Sequence, residues 1–568
     1  MRLIEAYTSG DTAEPLLRLT VHGLLQQAVD RHGTRDALVV RHQGIRWSYY
    51  DLARAVDDFA AGLLALGLQK GDRIGIWSPN RAEWVVAQFA TARIGLILVN
   101  INPAYRIAEL EFALNKVQAK ALIVAPKFKT SDYLGMLHSL APELPAQVPG
   151  QLQLARLPHL RSIICLDAGQ PATGAPAGMQ SYESVMRLAG PAQRARLDLV
   201  SAGLDPDEAI NIQFTSGTTG LPKGATLTHY NIVNNGYFVA RRMNFTAQDR
   251  LCIPVPLYHC FGMVLSNLAC VSQGACMVFP GEGFDAREVL ETVQAERCTA
   301  LHGVPTMFIA ELDHPDFARF DLSSLRTGIM AGAPCPIEVM KRVVRDMGMR
   351  EVTIAYGMTE TSPVSFQSSV DDPLERRVAT VGRIHPHVAV KIVGERGETL
   401  RTGQKGELCT RGYSVMRGYW DEPDKTAEAI DSTGWMHTGD LAVLDEEGYC
   451  NIVGRVKDMV IRGGENLFPR EIEEYLFRHP NVQDVQVFGI PDAKYGEELC
   501  AWIVPKPGQR LAEQDIRAFC QGQIAHQKIP RYIRFVDSFP VTATGKAQKF
   551  VMRKAMIDEL GLKEAATA

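Results

Sequence analysis

Along the first hundred residues, apolar positions switch between a period of two and a period near 3.6. Ala37 to Ser48, ALVVRHQGIRWS, predicts a hairpin turning at Gln43-Gly44. Ser48 then opens a helix with Asp51 as a weak capping box, and Leu52, Val56, Phe59, Leu63 and Leu66 share one face of it. Gly67 ends that helix, Lys70-Gly71-Asp72 makes a turn, and Arg73 to Trp77 forms a strand. A second helix around Ala82 to Arg93 and a buried strand over Leu96 to Val99 follow. Such strand–helix–strand alternation argues for an α/β sheet with helices on its faces.

Ala141 to Arg194 is rich in Pro, Gly, Ala and Gln, and predicts a surface excursion. Ala209 to Phe214 alternates as a strand, and Leu251 to Phe279, Thr299 to Leu312 and Leu325 to Ala331 resume the strand–helix pattern. From Val388 to Tyr419, glycine-punctuated short strands predict a smaller β-rich subdomain. The pattern resets near Gly454 to Asp458. Pro469 then begins a helix bearing Ile472, Tyr475 and Leu476, which Pro480 stops. Strands at Val485 to Ile490 and Cys500 to Val504 and a helix near Glu513 to Ile524 complete a small α+β unit. The expected fold class is α/β: a large N-terminal domain over residues 1–456, built of α/β sheets plus the β-rich subdomain, then a C-terminal α+β domain over 457–568.

With 568 residues, two or more domains are expected, and 46% hydrophobic with 22% charged residues is the composition of a soluble globular protein. The net charge of −4, with both signs interspersed, gives no reason to expect nucleic acid as a partner. The 11 cysteines show no CxxC pair and suit a reducing compartment. The N-terminus has neither signal-peptide nor transit-peptide character, and the most apolar run, Ile94 to Val99, is far short of a membrane span. A cytoplasmic location is expected.

After the strand at 209–214 comes QFTSGTTGLPKGA, with glycines, hydroxyls and Lys223 packed together. Glycines let backbone N–H groups close round an anion, and a lysine adds charge suited to phosphate. It is not the kinase-type loop, because Gly224 and Ala225 follow the lysine. The stretch resembles the signature of the acyl-adenylate-forming enzymes, which include acyl-CoA synthetases, luciferases and peptide-synthetase adenylation domains. Further matches occur in the same order: Tyr356-Gly357-Met358-Thr359-Glu360, Gly434 to Asp440, Gly454-Arg455 with Lys457-Asp458, Gly463-Gly464-Glu465-Asn466, and Thr544-Gly545-Lys546. They span nearly the whole chain. Within the family it is most similar to fatty acyl-CoA ligases, the medium-chain ones in particular.

The resemblance implies ATP contacts at Thr215, Ser216, Gly217, Thr218, Thr219, Gly220, Leu221, Pro222, Lys223, Tyr356, Asp440, Arg455 and Lys546. It implies Mg²⁺ at Thr215 and Glu360, catalytic roles for Lys546, Glu360 and Thr215, coenzyme A contacts at Gly463, Gly464 and Glu465, and a hinge at Lys457 about which a mobile C-terminal domain turns. Tyr237, His259, Val304, Met307 and Met358 are candidates for the acyl pocket. These assignments agree with side-chain chemistry. Tyr356 offers a flat face to a purine, Glu360 a hard oxygen to Mg²⁺, Asp440 two acceptors to a ribose diol, and Arg455 planar donors. Taken singly, each has an ordinary structural reading: a core tyrosine, a solvated acid, a turn aspartate, a surface ion pair. His259 reads equally well as a hydrogen-bonded core histidine.

The implied reaction joins a fatty acid to coenzyme A through an acyl-adenylate, releasing AMP and pyrophosphate, with a homodimer as the candidate assembly. Two other readings stay open: adenylation of a branched, aryl or sulfur-containing short acid or loading of a separate carrier protein, and a non-catalytic nucleotide-binding regulator.

Overall fold

The computed structural model describes residues 3–166, 175–215, 222–455, 458–462, 465–492, 494–542 and 545–562. Two large sheets carry the N-terminal part. The first runs, by strand, 180–181, 162–165, 121–124, 73–77, 97–100, 209–215, 223–228 and 418–419, parallel as far as 209–215 and antiparallel beyond. The second runs 383–384, 364–367, 351–357, 327–331, 300–303, 250–252, 276–279, 36–40 and 45–48, with a parallel centre.

Parallel strands bury both faces, so they read as continuous apolar runs. Ile97–Asn100, Ala121–Val124 and Cys276–Phe279 are buried throughout. One core takes in inward side chains from both sheets, such as Ile74, Ile123, Leu38 and Met277, together with the helices between them. The helix Ala82–Arg93 is buried on every side except at Glu83, as a helix apolar all round must be. The helix Tyr49–Ala65 has the full capping box between Ser48 and Asp51, and Leu52, Val56, Phe59 and Leu63 are buried along its inner face.

The expected surface excursion needs correction. Within 141–194, Ser162–Cys165 is a fully buried strand of the first sheet, paired in parallel with Ala121–Val124. Four residues are too few to show a period, and flanking Pro and Gly masked them.

The third sheet is antiparallel: 7–9, 388–393, 405–412, 436–444 and 450–455. Its first strand comes from the N-terminus. The fourth sheet holds 465–467, 460–462, 496–505 and 482–492, with 532–535 beside 496–505. Helices Pro469–Leu476 and Glu513–Cys520 pack on it around their own core.

Candidate active site

Several parts of the fold converge at the outer ends of parallel strands, where open α/β sheets usually hold ligands. Thr215 ends one strand and pairs across the ladder with Lys223, which begins the next. The ends of the glycine-rich loop are thereby fixed against each other. Ser216, Gly217, Thr218, Thr219, Gly220 and Leu221 lie outside the described residues, as do Lys457, Gly463 and Gly464. Pro222 is half-buried beside Lys223.

Glu360 stands opposite, in the short turn Thr359–Thr361 after the strand Glu351–Gly357, and is 6% exposed. Gly357 has to be glycine there, because a Cβ would lie 1.6 Å from the Pro363 carbonyl oxygen. Glu360 Oε1 accepts from Tyr419 Oη at 2.9 Å and lies 3.3 Å from Thr215 Oγ1. Lys223 Nζ stands 4.5 Å from the centre of the Tyr419 ring. Burial, then Glu360, pushes the Tyr419 hydroxyl far above its ordinary range, so it remains a donor. Tyr419 joins carboxylate and lysine, yet its motif gives no hint of that. Only the antiparallel pairing of 418–419 with 225–226 brings it in.

A second group forms between the second and third sheets. Tyr356 Oη donates to Asp440 Oδ2 at 2.5 Å, and Arg455 Nε donates to Asp440 Oδ1 at 2.9 Å. Asp440 and Arg455 face each other across adjacent strands, and Asp440 is 4% exposed. Burial opposes the charge on Arg455, but Asp440 and Asp458 outweigh it and hold the pKa above the usual value. Each carboxylate oxygen has two lone-pair directions, so Asp440 retains acceptor capacity for a ribose diol.

Lys546 arrives from the C-terminal part on a tight turn, with Thr542 N donating to Lys546 O and Gly545 N to Thr542 O, both at 2.8 Å. Gly545 has φ +78°, and a Cβ there would meet Val304 Cγ2 at 3.0 Å. Thr306 Oγ1 lies 3.5 Å from the Gly545 carbonyl oxygen. The lysine side chain is exposed, yet protein atoms crowd around it. That crowding, ahead of the Arg455 charge, pushes its ammonium down to about 8, against the pull of Asp440 and Asp458.

His259 is half-buried, and its Nδ1 accepts from Phe261 N at 3.2 Å. Burial, with the Lys546 charge, pushes it down to about 4, so the imidazole is neutral. Val304 and Met307 are buried at the start of the helix Pro305–Leu312, and Met307 lines a cavity of about 610 Å³ with Tyr258, Phe284 and Phe539. Met358 is half-buried, its N–H bonded to Pro363 O. Tyr237 lies in a different neighbourhood: its hydroxyl bonds Glu14 and its ring packs on Phe238, against the second core. Glu465 is exposed on the edge strand of the fourth sheet.

Among the described residues, no helix is long and apolar enough to cross a membrane. The family model for AMP-binding enzymes matches residues 25–420, and that for the AMP-binding enzyme C-terminal domain matches 471–546. A Bacillus subtilis (strain 168) protein named "Putative acyl-CoA synthetase YngI" is 50% identical over 96% of this chain and 99% of its own. The medium-chain acyl-CoA ligase ACSF2, mitochondrial, of Danio rerio is 46% identical over 99% of this chain and 92% of its own. The crystal structure of the anthranilate CoA ligase AuaEII in complex with anthranoyl-AMP matches with TM-score 0.85 and 26% identity, covering 97% of this chain and 99% of that one.

Proposed function

The chain belongs to the AMP-binding enzyme family, and on that premise we propose that it is an AMP-forming acid–thiol ligase whose acid is a medium-chain fatty acid. It joins the acid to coenzyme A through an acyl-adenylate. The observation that carries the site assignment is the seating of the Lys546 turn against Val304 and Thr306, close enough to Asp440 and Arg455 for their charges to act on the lysine, with Thr215 and Lys223 holding the ends of the phosphate loop and Glu360 beside Thr215.

In the first step a carboxylate oxygen bonds to the α-phosphorus of ATP and the bond to pyrophosphate breaks. An anion approaches a polyanion, so the barrier is largely electrostatic. Lys223 and Lys546 supply positive charge, Tyr356 a purine-sized face, and Asp440 ribose acceptors. Glu360 and Thr215 present oxygen donors 3.3 Å apart, a donor set that fits Mg²⁺. They would hold it there, and the ion would neutralise phosphate charge. In the second step the coenzyme A thiol attacks the acyl carbon and AMP leaves, with Glu465 as a coenzyme A contact. The activated anhydride compensates for a thiol that is only a few per cent thiolate at neutral pH.

The name of the Danio rerio relative supports the medium chain length. Eleven buried cysteines, none in a disulfide, suit a reducing compartment. A panel of acids from acetate to palmitate, with ATP, Mg²⁺ and coenzyme A, should give AMP and acyl-CoA with a maximum at medium length. Release of ADP instead would refute the reaction class. The anthranilate ligase match favours a second reading, an aryl acid, so benzoate and anthranilate belong in the panel.

A further inference from the structure

The third sheet brings together a set of donors that the adenylation site does not use. Glu407 and Cys409 are two apart on the strand Lys405–Gly412, and Cys409 pairs with His437 on Met436–Leu444. Residues two apart on a strand share a face, and a directly paired residue joins them there. The three side chains converge on one atom. Glu407 Oε2 lies 2.9 Å and Cys409 Sγ 3.5 Å from His437 Nδ1, and all three donor atoms are within 4.8 Å of one another. Zinc bonds of ~2.0 Å to nitrogen and ~2.3 Å to sulfur at a tetrahedral angle span roughly 3.5 Å between the two donors, the separation found here.

The far side of the imidazole fits as well. His437 Nε2 faces Asp431 Oδ2 at 3.9 Å. That is beyond hydrogen-bond distance, and a small approach of Asp431 on metal binding would let it orient the histidine and fix its tautomer. Asp431 is itself held, its Oδ1 accepting from the N–H groups of Thr433 and Trp435. Glu407 is anchored too, because its Oε1 accepts from Gly439 N at 3.1 Å, leaving Oε2 for the ion. Glu407 and His437 are half-buried and Cys409 is buried.

We propose that Glu407, Cys409 and His437 form a site for a borderline transition-metal ion, Zn²⁺ foremost, with Asp431 orienting the histidine. Thiolate and imidazole are poor ligands for Mg²⁺, which takes oxygen, so this site and the Glu360 site select different metals. Binding releases the Cys409 proton to solvent, and affinity therefore rises with pH. Gly439 links Glu407 to Asp440, so the site adjoins the ribose-binding segment.

Co²⁺ is the spectroscopic substitute. The full-length protein, titrated with Co²⁺ in buffer containing excess Mg²⁺, should show a thiolate-to-cobalt charge-transfer band and four-coordinate visible bands, saturating at one equivalent and abolished by Zn²⁺. Cys409→Ser should lose the charge-transfer band, and His437→Asn should weaken binding by more than about tenfold. Circular dichroism and thermal unfolding verify that both variants fold. Cys409 is buried, so His437→Asn is the deciding variant if the serine protein does not fold. No charge-transfer band at saturating Co²⁺, a band that survives in folded Cys409→Ser, or unchanged affinity in His437→Asn would overturn the site.

Discussion

Lys546→Ala should separate the two half-reactions. The lysine is exposed near Arg455 and Asp440, on a turn seated against Val304 and Thr306. Its charge is needed while a carboxylate approaches the α-phosphate, and not while a thiol attacks an uncharged acyl carbon. Removing one preorganised electrostatic group costs ~10²–10³ in rate, about 2.7–4 kcal/mol. Adenylation, read as fatty-acid-dependent ATP–pyrophosphate exchange, should fall by that factor. Thioester formation from a supplied acyl-adenylate should stay near the parent rate. The pH dependence adds an independent sign. Without ligand the ammonium is pushed down to about 8, so its charge is present below that pH and lost as pH rises through it. Bound ATP, a polyanion, moves the loss upward. Adenylation should therefore decline on the alkaline side, at or above about pH 8. Thioester formation should rise there, because the thiol ionises near ~8.5. Lys546→Arg keeps its charge at all accessible pH values and should remove the alkaline decline, at reduced rate. Equal loss of both half-reactions in Lys546→Ala, or the same alkaline trend in both, would refute this reasoning.

Glu360→Gln should raise the Mg²⁺ concentration for half-maximal adenylation at least about tenfold, with little change in thermal unfolding, since an amide oxygen still accepts from Tyr419. An unchanged Mg²⁺ requirement would remove Glu360 from the metal. Gly545→Ala places a side chain at φ +78° and 3.0 Å from Val304 Cγ2. The left-handed conformation alone costs ~1–2 kcal/mol, so adenylation should drop about five- to thirtyfold while the fold and the thioester step persist. Parent-level exchange would show that the turn is not needed in this form. Lys457→Pro, at the proposed hinge, should keep pyrophosphate exchange and lose most thioester formation, because proline fixes φ near ~−65°; parent-rate acyl-CoA synthesis by the folded variant would place the hinge elsewhere.

Local order was legible where it is local in origin. The capping box at Ser48, the apolar stripe from Leu52 to Leu63 and the strand Arg73–Trp77 each follow from residues near in sequence. What could not be read depends on distant pairing. Tyr7–Ser9 joins a sheet beside Val388–Val393, and no periodicity links segments so far apart. Ser162–Cys165 is too short to reveal itself, although a parallel neighbour buries it completely. In the site, Tyr356 and Arg455 pair with Asp440, and Glu360 lies beside Thr215 in a separate group, but other partners were hidden. Tyr419 reaches Glu360 through a strand pairing, and Tyr237 turns to Glu14, 223 residues away in sequence.

The seating of Lys546 also bears on how the second step begins. Among the described residues, Thr306 Oγ1 near the Gly545 carbonyl at 3.5 Å and Gln483 Nε2 donating to Asp313 Oδ2 at 3.0 Å join the C-terminal part to the helix Pro305–Leu312 and its end. Further contacts join it to the third sheet, where Arg470 Nη1 donates to Ile452 O at 2.7 Å and Lys405 Nζ lies 3.3 Å from the centre of the Phe468 ring. Asp313 also pairs with Arg342 at 2.7 Å, so it keeps a partner if Gln483 withdraws. A hydrogen bond to a charged group contributes about 1.5–3 kcal/mol and a neutral one about 0.5–1.5. Breaking the two links at this helix costs no more than a ligand binding at micromolar to millimolar affinity can supply, and release of Arg470 and Phe468 from the third sheet adds to that cost. Glu465 meanwhile is exposed at the edge of the fourth sheet, whereas Lys546, also exposed, lies on the turn held against Val304 and Thr306. On the proposed assignments, one arrangement would serve adenylation, with the lysine beside Asp440, and coenzyme A would need another that brings the Glu465 edge to the site. That is why the alanine variant at Lys546 should lose the first step and spare the second.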